Sequence, residues 1–84
     1  MSYKILLSPK ADSFLGKIDN KNKERIKNKL KCLQDNPELG KPLTANFAGL
    51  WSLRIGDYRV IYQINNNELL ILVLKIGHRK NIYD

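Results

Sequence analysis

The chain has 84 residues, enough for one hydrophobic core, so we expect a single domain over residues 1–84. Fifteen Lys and Arg residues against eight Asp and Glu residues give a formal net charge of +7, which favours an anionic partner such as nucleic acid. With one cysteine, one histidine and no apolar run longer than residues 69–74, the sequence predicts a cytoplasmic protein without disulfide, metal, cofactor or membrane span.

The chain opens with a predicted strand over residues 3–7 and a predicted first helix. Ser8 can cap free amide hydrogens, and Pro9 at the first helical position loses no hydrogen bond that it would have made. An apolar stripe follows at helical spacing, which predicts one buried helix face: Ala11, Phe14, Leu15 and Ile18.

A second helix is predicted to begin at Asp19 or Asn20 and to end at Asn36-Pro37. Its apolar stripe consists of Ile26, Leu30 and Leu33. Because so few residues join the two helices, we expect an antiparallel helical hairpin.

The rest of the second helix is strongly basic: Lys21, Lys23, Arg25, Lys27, Lys29 and Lys31. Two interpretations stay open. The charges can form a solvated face, as charge runs usually do, or they can follow an RNA backbone, with Lys27 and Lys31 as candidate contacts. The net charge by itself also fits solubility, or a partner of acidic protein or lipid.

The second half of the chain predicts an antiparallel meander. Residues 37–49 contain two prolines and two glycines and are expected to form a loop. Residues 50–55 and 58–64 alternate as strands, and Gly56-Asp57 between them suits a tight hairpin turn.

A last strand is predicted over residues 69–76, after a second turn at residues 65–67. Its continuous apolar run suits a central strand, and Gly77 is expected to break it. The predicted fold is α+β: an N-terminal strand, a two-helix hairpin and a three-stranded antiparallel meander, with the helices on one sheet face.

The turn at Gly56-Asp57 sets a register in which Arg54 lies directly opposite Arg59. The predicted core face holds Trp51, Leu53, Ile55, Tyr58, Val60 and Tyr62, and the other face holds Ser52, Arg54, Arg59, Ile61 and Gln63. Opposed like charges destabilise a ladder, and phosphate suits paired guanidinium groups. Alternatively, the side chains splay into water, or one pairs with Asp57 or Asp84.

The basic tail is expected to return to the same end of the sheet. A turn at Gly77 would let His78, Arg79 and Tyr83 converge with the arginine pair on one open face. A base for a 2′-hydroxyl, cations for the phosphorane and an acid for the leaving oxygen suit phosphodiester cleavage.

Residues 50–62, Leu-Trp-Ser-Leu-Arg-Ile-Gly-Asp-Tyr-Arg-Val-Ile-Tyr, resemble the central hairpin of RelE/ParE superfamily toxins. The later Ile76-Gly77-His78-Arg79 with Tyr83 resembles the C-terminal strand and tail of that superfamily. The resemblance covers essentially the whole chain and implies a RelE-like, microbial-ribonuclease-type fold. For the RelE branch it implies a ribosome-dependent endonuclease that cleaves mRNA in the A site and is silenced by a RelB-like antitoxin in a hetero-oligomer.

By position, the resemblance implies that Arg59 and Arg79 stabilise the transition state or assist proton transfer, that Tyr83 orients the substrate, and that Arg54 is a basic contact. Some RelE toxins have a catalytic lysine where this chain has Ser52. Serine can still contact the substrate, but it cannot replace the charge of the lysine. His78 is then the candidate general base, with Tyr83 second.

Two other functions fit the same residues. A ParE-branch toxin would bind and poison DNA gyrase without cutting RNA. The retained Arg59, Arg79 and Tyr83 argue against it, and the missing lysine favours it slightly. A basic RNA-binding module without activity would make overexpression harmless.

Overall fold

The computed structural model describes residues 2–80. Its elements in chain order are β1 (Lys4–Leu7), α1 (Pro9–Lys17), α2 (Asn20–Asp35), β2 (Lys41–Pro42), β3 (Trp51–Ile55), β4 (Tyr58–Asn65) and β5 (Leu70–His78), with 3-10 turns at Pro37–Leu39 and Ala45–Phe47. The predicted α+β class and the predicted element order are confirmed. In the described part of the chain, no helix combines the length and the apolar character that a membrane span requires.

Both helices begin at the predicted capping residues. The Ser8 hydroxyl oxygen accepts the Ala11 backbone N–H at 3.1 Å, with Pro9 in the first turn. Asp19 accepts both the backbone N–H of Asn22 at 3.2 Å and its side-chain amide at 2.9 Å. These bonds stabilise the carboxylate and hold the pKa of Asp19 below its usual value.

The five strands form one sheet in the order β1-β5-β4-β3-β2. β3, β4 and β5 form the predicted antiparallel meander, and β1 adds to β5 in parallel. The apolar stripes of both helices enter the same buried cluster as residues of β3, β4 and β5. We call the side covered by α1 and α2 the helix face, and the opposite side, with Arg54 and Arg59, the open face.

The β3–β4 register is the predicted one, with Arg54 opposite Arg59 and Ile55 opposite Tyr58. Gly56 has φ +59°, a left-handed conformation that glycine adopts without a steric penalty. The turn chemistry therefore determines which side chains share each face of this hairpin.

The last strand differs from the prediction at Gly77. β5 continues to His78, and Gly77 lies buried within it, opposite Arg59. The chain turns only at residues 79–80.

A β-bulge interrupts β5 at Leu74. Ile61 pairs with Lys75 and Tyr62 with Val73, so Leu74 has no partner residue on β4. The Ser8 hydroxyl donates a 2.7 Å hydrogen bond to the Leu74 carbonyl, while its own oxygen caps α1. The bulge exchanges the two faces of the strand: Ile71 and Val73 face the helices before it, and Ile76 does so after it.

The segment predicted as a loop over residues 37–49 is partly ordered by β4. The Tyr62 hydroxyl donates to the Pro37 carbonyl at 2.7 Å and accepts the Gly40 N–H at 3.1 Å. These bonds hold the chain so that β2 pairs with the outer edge of β3. A two-residue strand has too little periodicity to be visible in the sequence.

Candidate functional site

A basic cleft lies at the edge of the open face. Its volume is about 390 Å³, and its walls include Lys41, Leu43, Ser52, Arg54 and Arg59. Arg54 is exposed, whereas Arg59 is partly buried, with its Nε atom enclosed. The partly buried guanidinium is less screened by water than a surface charge, which strengthens its attraction for an anion.

The arginine pair is the part of the predicted site that the structure brings together most closely. Residues directly opposite on an antiparallel ladder have Cβ atoms about 4.5–5.5 Å apart, so their side chains start as neighbours. Two guanidinium groups from adjacent strands can hold one phosphate between them, because each offers paired N–H donors.

Ser52 and Ile61 make the open face less open than expected. Ser52 is 8% exposed and Ile61 is 6% exposed, although both lie on the face away from the helices. Ser52 therefore forms part of the cleft wall rather than a solvent-exposed contact. Within the described residues, Ile61 lies outside the helix-side core cluster, so this face has apolar packing of its own.

His78 does not lie on the open face, so the expected convergence with the arginine pair is wrong for this residue. It pairs with Tyr58 across the ladder and shares the helix face. The His78 and Tyr58 rings lie 4.9 Å apart, tilted by 30°, and Phe14 meets His78 edge-on at 6.0 Å. The imidazole is exposed at the end of the sheet, beside the helices.

Arg79 follows directly after β5. Its backbone N–H donates to the Asp57 carbonyl at 3.1 Å, which places it beside the β3–β4 turn. Arg79 lines a hollow with Asp57, His78 and Lys80, separate from the cleft that contains the arginine pair. β5 ends at His78, so Arg79 lies in the turn that follows the strand and strand alternation does not assign it to a sheet face.

Tyr83, the other predicted tail residue, lies outside the described residues, as does Asp84, one of the two carboxylates considered as alternative partners of the arginines. The second, Asp57, lies in the hollow with Arg79 rather than in the cleft with Arg54 and Arg59.

The basic helix lies on the other side of the sheet. Lys27 and Lys31 are exposed on α2, whose apolar stripe packs on the helix face. Arg25 reaches the β3–β4 turn, where a Cβ atom added to Gly56 would lie 2.9 Å from its guanidinium. Arg25 therefore adds positive charge at the same end of the sheet as Arg79. The sequence alone could not show this, because the two residues are brought together by the packing of α2 on the sheet.

Lys41 lines the cleft, although nothing in the sequence indicated that it would. It lies in the segment predicted as a loop, yet β2 places it directly opposite Ser52 on the cleft wall. Among the described residues, no group of three or more His, Cys, Asp or Glu side chains could hold a metal ion. The cleft instead offers cations suited to a bound anion.

A family model for the ParE toxin of type II toxin–antitoxin systems, parDE, matches residues 5–83. The chain belongs to the ParE toxin family. Within the wider RelE/ParE superfamily, this ParE-family chain also resembles toxins that carry RelE names. Toxin RelG of Mycobacterium tuberculosis is 40% identical over 45 residues, 54% of this chain and 52% of the relative. Toxin RelE of the same organism is 42% identical over 52 residues, 61% of this chain and 54% of the relative.

The ParE-family chain therefore spans about half the length of the curated relatives that it matches. Solved structures are similar over a larger share. The RelBE2 toxin–antitoxin complex of M. tuberculosis superposes with a TM-score of 0.87 at 27% identity, covering 94% of this chain and all of that one. The archaeal RelE–RelB complex of Pyrococcus horikoshii superposes with a TM-score of 0.79 at 25% identity, covering 96% of this chain and 99% of that one.

Proposed function

We propose that this protein is the toxin of a toxin–antitoxin pair and acts as a ribosome-dependent endonuclease that cleaves mRNA in the A site. The observation that carries the proposal is the cleft in which Arg54 and Arg59 face each other beside Ser52. Similarity to RelE-named toxins supports the RelE type of activity. Such a protein would work in the cytoplasm, where ribosomes are.

The proposed reaction needs no metal. The 2′-oxygen of the nucleotide before the cut attacks the phosphorus and loses its proton to a base, and the bond from phosphorus to the 5′-oxygen breaks. The products are a 2′,3′-cyclic phosphate and a 5′-hydroxyl, which receives a proton from an acid. Arg54 and Arg59 stabilise the negative charge that develops on the phosphorane oxygens.

Arg79, Tyr83 and His78 stay proposed participants from the tail. His78 would have to act from the end of the sheet, because its ring lies on the helix face. The ribosome supplies alignment of the mRNA, which reduces what the protein must provide. Lys27 and Lys31 would follow RNA away from the cleft through salt-sensitive contacts.

The decisive assay adds purified protein to programmed ribosomes and maps mRNA ends. We expect cuts in the A-site codon, none in free RNA, and at least a 100-fold slower rate for Arg59→Ala, because one donor to a developing oxyanion contributes about 10²–10³-fold. Lys4→Ala is the matched control: it removes one exposed positive charge from β1, at the opposite edge of the sheet. Equal cutting by Arg59→Ala and wild type would refute the site.

The matching family model favours one alternative, a ParE-like toxin that binds and poisons DNA gyrase. In that case, expression would leave mRNA intact and would trap gyrase–DNA breaks. End mapping and detection of trapped breaks in the same culture separate the two functions.

The proposed antitoxin is RelB-like and forms a hetero-oligomer with the toxin. A solved neighbour is itself a RelE–RelB complex. On the open face, Leu6 is 46% exposed and pairs with Leu72, whereas the basic cleft lies at the other edge of the sheet. An amphipathic segment with acidic residues that crosses the open face would cover both. Arginines that stay reactive to a guanidine-modifying reagent in the complex would count against direct masking.

A further inference from the structure

We propose that Lys41 is a third cation of the cleft, contacts the scissile phosphate, and is positioned there by Tyr62 and Gly40. The inference rests on the proposed RNA cleavage and adds to it a residue and a mechanism of placement. It starts from the β2–β3 pairing, because this pairing places a lysine opposite Ser52.

The register puts Lys41 on the open face. Residues directly opposite on an antiparallel ladder point to the same side, so Lys41 shares a face with Ser52. Ser52 and Arg54 are two residues apart on β3 and also share a face. Lys41 and the arginine pair therefore line one cleft of about 390 Å³.

The position of Lys41 is held from the interior. Tyr62 is fully buried, and its hydroxyl bonds Pro37 and Gly40 on the stretch of chain that leads into β2. The next residue after Gly40 is Lys41, so the anchor lies one residue from the proposed contact. A short edge strand held this way needs few ladder hydrogen bonds of its own.

Gly40 allows the close approach on which this placement depends. A Cβ atom at this position would overlap the Ser52 carbonyl oxygen and lie 2.8 Å from the Tyr62 hydroxyl. A side chain here would push β2 away from β3 or break the Tyr62 bond. Gly40 and Tyr62 are therefore positioning residues for Lys41, although neither lies on the open face.

Another reading of the same residues is purely protective. Lysine and proline on an edge strand hinder pairing with a second molecule, and Lys41–Pro42 fits that pattern. In that reading, removing the lysine charge would promote self-association without slowing cleavage by the monomer. If Lys41 contacts the phosphate, removing its charge slows cleavage by the monomer and does not promote self-association.

The test compares single-turnover cleavage of ribosome-bound mRNA by wild type, Lys41→Ala, Lys41→Arg and the control Lys4→Ala. We expect about a 100-fold slower rate for Lys41→Ala, a loss below about 10-fold for Lys41→Arg, and no change for the control. Wild-type rates for Lys41→Ala overturn the inference and leave the proposed function standing. Equal losses in the Arg and Ala variants overturn a contact made through charge.

A double-mutant cycle tests the positioning residues. Tyr62→Phe is expected to slow cleavage in the wild-type background and to have no further effect in the Lys41→Ala background, because it acts through Lys41. The same holds for Gly40→Ala. Losses that multiply in the double variants would mean that these residues support the fold only, and would overturn the positioning role.

A binding measurement keeps the outcomes separate if wild type cuts no mRNA. The probe is a short all-2′-deoxy oligonucleotide, which cannot be cleaved by 2′-oxygen attack. With Lys41→Ala, the slope of log K against log salt should fall by about 0.7, the value for one phosphate contact on a single strand. No cleavage by wild type refutes the proposed function, and an unchanged slope refutes the Lys41 contact.

Discussion

Replacing Tyr62 with Phe should destabilise the protein through two backbone groups, while leaving the packing of the ring intact. The hydroxyl bonds the Pro37 carbonyl at 2.7 Å and the Gly40 N–H at 3.1 Å, and the ring is fully buried. An unsatisfied buried polar group destabilises a protein by about 1–3 kcal/mol. Water can replace part of the lost bonding to the Pro37 carbonyl and the Gly40 N–H, because both lie on a segment at the surface. We therefore expect a loss of about 1–3 kcal/mol.

The assay is urea unfolding followed by circular dichroism, with Tyr3→Phe as the matched control. The Tyr3 hydroxyl bonds the Asn66 side chain at 2.6 Å on the exposed surface, so its loss should change stability by no more than about 0.5 kcal/mol. For Tyr62→Phe, the midpoint should fall with an unchanged slope, and the melting temperature should drop by about 4–8 °C per kcal/mol. Equal effects of the two variants would refute this account of the β2 segment.

Three further predictions concern pH, capping and salt. Burial disfavours the phenolate and therefore raises the pKa of Tyr62 above its usual value of 10.0. The stability that depends on its hydroxyl is complete below about pH 10, and it is lost as the pH rises through the pKa of the folded state. Unfolding free energies at a series of pH values should show the difference between wild type and Tyr62→Phe shrinking only on the alkaline side. Ser8→Ala should lower the free energy of unfolding by about 1–2 kcal/mol in thermal unfolding, because the hydroxyl caps Ala11 and also bonds Leu74. A loss near zero would show that Ser8 does not stabilise the bulge. Arg54→Ala should lower the salt slope of single-stranded RNA binding by about 0.7, whereas an unchanged slope would exclude a phosphate contact there.

The parts of the fold that could be predicted depend on local chemistry. Ser8 and Asp19 cap helices because of their own side chains, and Gly56-Asp57 sets the β3–β4 register through the geometry of one turn. The opposed arginine pair followed from that turn alone. The arginine pair could therefore be predicted from the sequence because it lies next to a tight turn.

The parts that could not be predicted depend on contacts between distant segments. The bulge at Leu74 is supported by Ser8, and a continuous apolar run gives no sign of it. Because the bulge exchanges the faces of the strand, it places His78 on the helix face, opposite Tyr58. His78 therefore points away from the sheet face that holds the arginine pair.

Lys41 was missed for a similar reason. Its segment contains no periodic pattern, and it becomes part of the sheet only because Tyr62, 21 positions later in the chain, holds the stretch that leads into it. Such a placement is visible only once β4 has been positioned beside β3.

The position of β5 between β1 and β4 has a consequence for protein synthesis. β1 leaves the ribosome first but pairs with β5, more than 60 residues later, so this contact forms only when most of the chain has been made. Until then, α1 and α2 have no completed sheet on which to bury their apolar stripes, and the β4 edge next to β5 stays unpaired. The nascent chain thus passes through a stage in which its cations are already exposed but their final arrangement is incomplete. We expect folding to the mature form to be a late, cooperative event that couples the two ends of the molecule.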